Sequence, residues 1–121
     1  MVGAPKTMDN DLSGTDYTFG FDSSVTWAIE AMRSLQDSGR SHRRIMVLEV
    51  MGRHAGWVAV FTGMASGADW TLIPEKKTDI KKMYQHLKEV YKKNKYASVV
   101  ISEGVTLPGI DVDKELSLIH I

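Results

Sequence analysis

Three short apolar runs, set between stretches patterned for helices, constrain this chain more than any other feature. Ile45-Met46-Val47-Leu48-Glu49-Val50 is nearly continuous, Trp70-Thr71-Leu72-Ile73 is closed by Pro74, and Ala97-Ser98-Val99-Val100-Ile101 forms the last run. Such runs, bounded by turn residues, suit strands buried on both faces of a parallel sheet. Before the first run, Val25, Ala28, Ile29, Met32 and Leu35 recur at intervals of three and four. This spacing predicts an amphipathic helix from about Asp22 to Leu35, capped by Asp22 or Ser23 and stopped by Asp37-Ser38-Gly39-Arg40-Ser41. Trp57 to Ala65, rich in small and apolar residues, predicts a buried helix. Thr78 is placed to cap a third helix with Ile80, Met83, Tyr84, Leu87, Val90 and Tyr91 on one face and lysines on the other. Strands alternating with helices define an α/β domain, a three-layer arrangement with a parallel sheet covered on both faces. Met46, Met64 and Met83 fall at core-like positions, whereas Met51, at a strand exit, suits a pocket wall.

Composition narrows the functional classes. The 121 residues carry 15 Lys plus Arg against 15 Asp plus Glu, so no bulk field draws the chain to nucleic acid or to an anionic membrane. Lys76-Lys77, Lys81-Lys82 and Lys92-Lys93 lack the interleaved aromatics that stack on bases and read as a solvated face. The absence of cysteine excludes disulfides and thiolate metal sites and fits a reducing compartment. No apolar run nears the roughly 18–20 residues of a membrane-spanning helix, and Met1 to Lys6 lacks a secretory pattern. A cytoplasmic location is expected.

In parallel α/β sheets ligands sit beyond the carboxyl ends of the strands, which directs attention to Met51–Gly56, Glu75–Lys77 and Ser102–Gly104. Gly52-Arg53-His54-Ala55-Gly56 sets a cation between glycines at a helix start, where free N–H groups and the helix dipole favour an anion. Two readings fit: a phosphate site, or a tight strand-to-helix turn with Arg53 solvated. Asp9 and Asp11, two apart in the polar stretch from Pro5 to Gly20, can face one pocket as proton acceptors; the plainer reading is a local Asx turn. Ser41-His42-Arg43-Arg44 precedes a strand and so stands at the end away from the ligand edge. It is either a solvated run or part of a site completed by another subunit. Glu103 can accept hydrogen bonds from a sugar hydroxyl. His42, His54, His86 and His120 show no metal-ligand spacing, and neither a P-loop nor a GxGxxG run occurs.

Pro5-Lys6-Thr7-Met8-Asp9-Asn10-Asp11, Gly14-Thr15-Asp16-Tyr17-Thr18-Phe19-Gly20-Phe21-Asp22 and Glu49-Val50-Met51-Gly52-Arg53-His54-Ala55-Gly56-Trp57 together closely resemble the 6-phosphofructokinase family. The likeness is strongest to the bacterial branch with ATP-using and pyrophosphate-using members, and it covers about Ala4 to Val105. It implies Mg²⁺-dependent transfer of a phosphoryl group to the 1-hydroxyl of fructose 6-phosphate, in glycolysis, by an oligomeric enzyme.

By this resemblance Asp9 is the general base, and Thr7 and Asp11 contact substrate and support the metal-phosphate environment. Met8 stands in the same substrate loop in place of a more usual isoleucine. Met51, Gly52 and Arg53 match the motif that holds fructose 6-phosphate, with Arg53 also offsetting charge on the transferring group. Glu103 matches a sugar-binding carboxylate, and Arg44 an arginine that reaches the sugar's 6-phosphate across a subunit interface. Lys6 inclines the donor toward pyrophosphate, since many strictly ATP-using relatives have glycine there. The family's glycine-rich donor loop, its acidic metal-binding motif and its C-terminal part have no counterpart here. The chain is therefore expected to be a fragment, inactive alone, of the two-domain phosphofructokinase fold. Residues 1–20 would end the donor-binding domain with its catalytic loop, 21–115 would belong to the sugar-phosphate domain, and 116–121 would be a truncation scar. The rival reading is a non-catalytic sugar-phosphate-binding or assembly module.

Overall fold

The computed structural model describes residues 1–107, so the reading of residues 116–121, and the end of the 21–115 unit, lie outside the described residues. Helix α1 (Phe21–His42) leads into strand β1 (Ile45–Val50), helix α2 (Trp57–Ser66), strand β2 (Trp70–Leu72), helix α3 (Ile80–Asn94) and strand β3 (Ala97–Ser102). The three strands are all parallel, in the order β1-β3-β2.

Alternation along β3 sorts the core into two layers of side chains. Val100, with Val50 of β1, packs against Phe21, Val25 and Met32 of α1 and Val58 and Ala59 of α2. Ala97, Val99 and Ile101 point the other way, joining Leu72 of β2 and Leu87 of α3, with Met83 and Val90 at the margin. Helices α1 and α2 therefore cover one face and α3 the other, the three-layer α/β arrangement expected from the sequence.

The central strand is β3, all six residues of which are buried, whereas β1 is an edge strand among the described residues. Ile45 and Val47 are 46% and 54% exposed, which corrects the expectation that this run is buried on both faces. An apolar run reports a tendency to burial but not sheet order. Here α3 lies over β2 and β3, and Ile45 and Val47 project on that less covered side of β1.

Helix α1 runs through the expected stop at Asp37–Ser41 and ends at a left-handed Arg43. Gly39 is a packing position rather than a terminator: a Cβ there would meet Met46 Cγ at 2.8 Å, so its missing side chain lets α1 approach β1. At the other end the helix begins with buried Phe21, Gly20 is the capping residue, and Asp22 lies within the first turn. In α3 the cap is Asp79 instead of Thr78, its carboxylate accepting from the N–H groups of Lys81 and Lys82. Helix α2 is buried on one face only. Val58, Ala59, Thr62 and Gly63 turn inward, and Met64, expected in the core, is 80% exposed; the fully buried methionine is Met32. Among the described residues no helix is long and apolar enough to cross a membrane.

Candidate active site at the carboxyl end of the sheet

The parallel pairing of β1 with β3 places Val50 opposite Ser102, so the segments that leave these strands start side by side. Glu103 N–H donates to Val50 O at 3.0 Å, extending the ladder by one step. The Glu103 side chain then turns onto the neighbouring loop, where Oε1 accepts from Gly52 N–H at 3.1 Å and from Arg53 N–H at 2.7 Å. Ala55 N–H closes the same loop onto Gly52 O at 2.8 Å. A second carboxylate acts one turn later, as Glu75 Oε1 accepts from Gly56 N–H at 2.7 Å at the entry to α2.

These bonds bear on the two readings of Gly52–Gly56. The amides that would have received a phosphate are occupied by the chain's own carboxylates, which suit a helix N-terminus for the same electrostatic reason. The cationic group this loop leaves free for an anion is the Arg53 side chain. Arg53 is exposed, takes a left-handed backbone at φ 50°, and makes no ion pair among the described residues. Glu103, expected to face the sugar, spends one oxygen on positioning the loop and keeps Oε2 uncommitted among the described residues.

Two glycines are demanded by close approach. A Cβ on Gly52, whose φ is 154°, would collide with Ala55 O, and one on Gly104 would collide with Arg53 O. Met51, at the exit of β1, is 59% exposed.

The loop carrying Asp9 is organised by its uncharged neighbours. Asn10, left-handed at φ 55°, accepts from Thr18 N–H through Oδ1 at 2.9 Å and donates from Nδ2 to Asp16 O at 3.3 Å. Thr7 Oγ1 accepts from Asp9 N–H at 3.3 Å. The Asp9 and Asp11 carboxylates make no hydrogen bond among the described residues, so the Asx-turn reading of that spacing is corrected: the loop is held instead by Asn10, which bonds across it to Asp16 and Thr18. Lys6 forms a parallel bridge with Phe19 through its backbone and extends an exposed side chain. Met8, expected in the substrate loop, packs its side chain against the Phe21 core.

An aromatic ladder joins this loop to α2. Ring centroids stand 5.7 Å apart for Tyr17 and Phe21, 5.3 Å for Phe21 and Phe61, and 6.3 Å for Trp57 and Phe61. Asp11, Tyr17, Trp57 and Phe61 thus border one open cavity of about 580 Å³. Arg44 is not brought to this region: it is exposed at the amino end of β1, about 20 Å from Met51 along the strand. The loop-pinning role of Asn10, the bond of Glu75 to Gly56 N–H and the aromatic ladder were not anticipated from the sequence. Glu75 had a usable signal, its place just past a strand on the ligand side of the sheet.

Among the described residues no three His, Asp or Glu side chains gather into a group that would hold a metal. The described residues therefore supply no three-ligand Mg²⁺ centre of their own.

A parallel sheet covered on both faces, with the β1–α2 loop fixed by two carboxylates at its carboxyl edge, defines a three-layer α/β protein. The comparisons with known proteins specify which. The phosphofructokinase family model matches residues 1–119, and the chain belongs to that family. The pyrophosphate–fructose 6-phosphate 1-phosphotransferase of Dictyoglomus thermophilum is 48% identical over 115 residues, covering 94% of this chain and 33% of the relative. The ATP-dependent 6-phosphofructokinase of Corynebacterium efficiens is 48% identical over 105 residues, covering 86% and 30%. Among solved structures, the pyrophosphate-dependent phosphofructokinase of Marinobacter aquaeolei superposes with a TM-score of 0.79 at 33% identity, covering 86% of this chain and 29% of that one. The chain spans about a third of the length of the curated relatives it matches.

Proposed function

We propose that this chain forms the base loop and part of the sugar-phosphate site of a 6-phosphofructokinase, which moves a phosphoryl group from pyrophosphate or ATP to fructose 6-phosphate. The observation that carries this reading is the Glu103 clamp on the amides of Gly52 and Arg53. It fixes the β1 exit and leaves the Arg53 guanidinium as that loop's unpaired cation among the described residues. Family membership and relatives named for both donors support the substrate.

In the proposed reaction the Asp9 carboxylate takes the proton of the sugar's 1-hydroxyl as that oxygen attacks the terminal phosphorus of the donor. The bond from phosphorus to the bridging oxygen breaks, and the leaving phosphate or nucleoside diphosphate carries the electron pair. A positioned base of this kind supplies about 10²–10⁴ in rate. Arg53 offsets charge on the equatorial oxygens, the contribution on which phosphoryl transfer chiefly depends. Thr7 and Asp11 line the sugar side, with Met51 and Gly52 bounding it at the strand exit and the free Glu103 oxygen accepting from a hydroxyl. Lys6 neutralises the departing phosphate when the donor is pyrophosphate. Mg²⁺ would arrive on the donor's phosphates, in keeping with that ion's preference for phosphate and water ligands over protein cages.

Arg44, remote from the loop within one chain, fits a homo-oligomer in which it serves a neighbour's sugar 6-phosphate. Residues 1–20 belong on this reading to the donor-binding domain and the α/β unit to the sugar-phosphate domain of a cytoplasmic glycolytic enzyme with no nucleic-acid or membrane partner. The test is phosphoryl transfer to fructose 6-phosphate with ATP and pyrophosphate in parallel, on this chain and on its extended reading frame. Transfer in the extended frame with one donor preferred is expected. Sugar-phosphate binding with no transfer from either donor would favour the non-catalytic module.

A further inference from the structure

We propose that the cavity between β2 and the start of α3 is a binding site for a small organic phosphate carrying a planar group. The cavity measures about 390 Å³ and is bordered by Trp70, Ile73, Lys76, Lys77, Asp79 and Lys82. That volume lies within the range of roughly 300–1,000 Å³ typical of small-molecule sites. The sequence alone assigns these lysines to a solvated face without aromatic partners. The fold brings them to Trp70, which precedes Lys76 by six positions and sits on the edge strand beside them.

Charge around the cavity is unbalanced. Asp79 is its one acid, and it is already engaged: Oδ1 accepts from the N–H groups of Lys81 and Lys82, and Oδ2 lies 3.8 Å from Lys82 Nζ. The Lys81 and Lys82 amides are thereby satisfied, so attraction for an anion is assigned to the ammonium groups and not to the helix terminus. Lys76 and Lys77 make no ion pair among the described residues. The excess of positive charge over the single carboxylate matches a phosphate monoester, which carries about −1.5 to −2 at pH 7.

The other wall is apolar and held in place. Trp70 is half-buried, packs against the Leu72–Leu87 core layer, and meets the His86 ring at 5.5 Å. An indole fixed in this way offers contact area to a flat group at little entropic cost. The segment carrying the lysines is itself anchored, because Glu75 is bound to Gly56 N–H. The cavity runs along the open edge of β2 to the start of α3 and shares no residue with the base loop or the β1 exit. The inference therefore stands independently of the fructose 6-phosphate reading.

The test is calorimetric titration of the 121-residue chain with 1-naphthyl phosphate, inorganic phosphate and 1-naphthol. Saturable binding of one naphthyl phosphate per chain is expected, with both half-ligands at least tenfold weaker. The exposed double variant Lys76→Gln/Lys77→Gln should weaken it at least tenfold, while Lys92→Gln/Lys93→Gln, on the far end of α3, should leave it within about twofold. Three results would overturn the site: no saturation at millimolar ligand, equal loss in both double variants, or inorganic phosphate binding as tightly as the aryl ester.

Discussion

Glu103 and Arg53 meet through side chain and backbone: the glutamate Oε1 accepts from the arginine N–H at 2.7 Å and so fixes the point from which the guanidinium extends. Fifty residues separate the two in sequence, and the pairing of β1 with β3 brings them together. Removing the carboxylate strands two N–H groups at the mouth of the proposed site. Glu103→Ala should lower stability by about 1 kcal/mol, a modest cost because the side chain is exposed, and should speed hydrogen exchange at Gly52 and Arg53. Unchanged exchange at those two amides would contradict the clamp.

Gly104 lets the segment after β3 pass against the Arg53 carbonyl, with which any Cβ would collide. The neighbour is backbone, which cannot swing aside. Gly104→Ala is expected to cost about 2 kcal/mol or more in urea unfolding and to displace the 52–54 turn. A loss below about 0.5 kcal/mol would show that the turn gives way easily.

Asn10 is the pin of the base loop, since both ends of its amide are bonded to the returning segment at Asp16 and Thr18. Asn10→Asp keeps the acceptor for Thr18 N–H and loses the donor to Asp16 O, whereas Asn10→Ala loses both. Exchange at Thr18 should therefore accelerate at least tenfold in Asn10→Ala and far less in Asn10→Asp. Equal acceleration in the two variants would assign the effect to the left-handed backbone at this position.

The fold was legible where local patterning decides it. The apolar runs marked β1 and β3 within a residue, and the Val25–Leu35 spacing found the buried stripe of α1. Sheet order was not legible, because Val47 and Val99 look alike until β3 is set at the centre. Gly39 read as a stop because its use, contact with Met46, depends on a strand not yet placed. The strand-end rule pointed to segments that the structure joins through Glu103 on Gly52 and Arg53 and Glu75 on Gly56. What each carboxylate does there was hidden, since Glu75 and Glu103 act across 19 and 50 residues on amides that carry no sequence signal.

Thr62 offers a test of packing inside α2. Its side chain is fully buried and Oγ1 has no hydrogen-bond partner among the described residues. Thr62→Val removes that polar atom at nearly constant shape and should raise stability by about 1 kcal/mol in urea unfolding. Destabilisation of similar size would mean that the hydroxyl is bonded after all.

On the proposed reading Asp9 serves as the base for phosphoryl transfer to fructose 6-phosphate, and Glu103 fixes the turn from which Arg53 extends. The most direct measurement of the base is turnover by the extended reading frame with the preferred donor, wild type against Asp9→Asn. The account predicts a fall of about 10²–10⁴ in kcat, with the KM for fructose 6-phosphate changed by less than about threefold. Undiminished turnover by Asp9→Asn would contradict it.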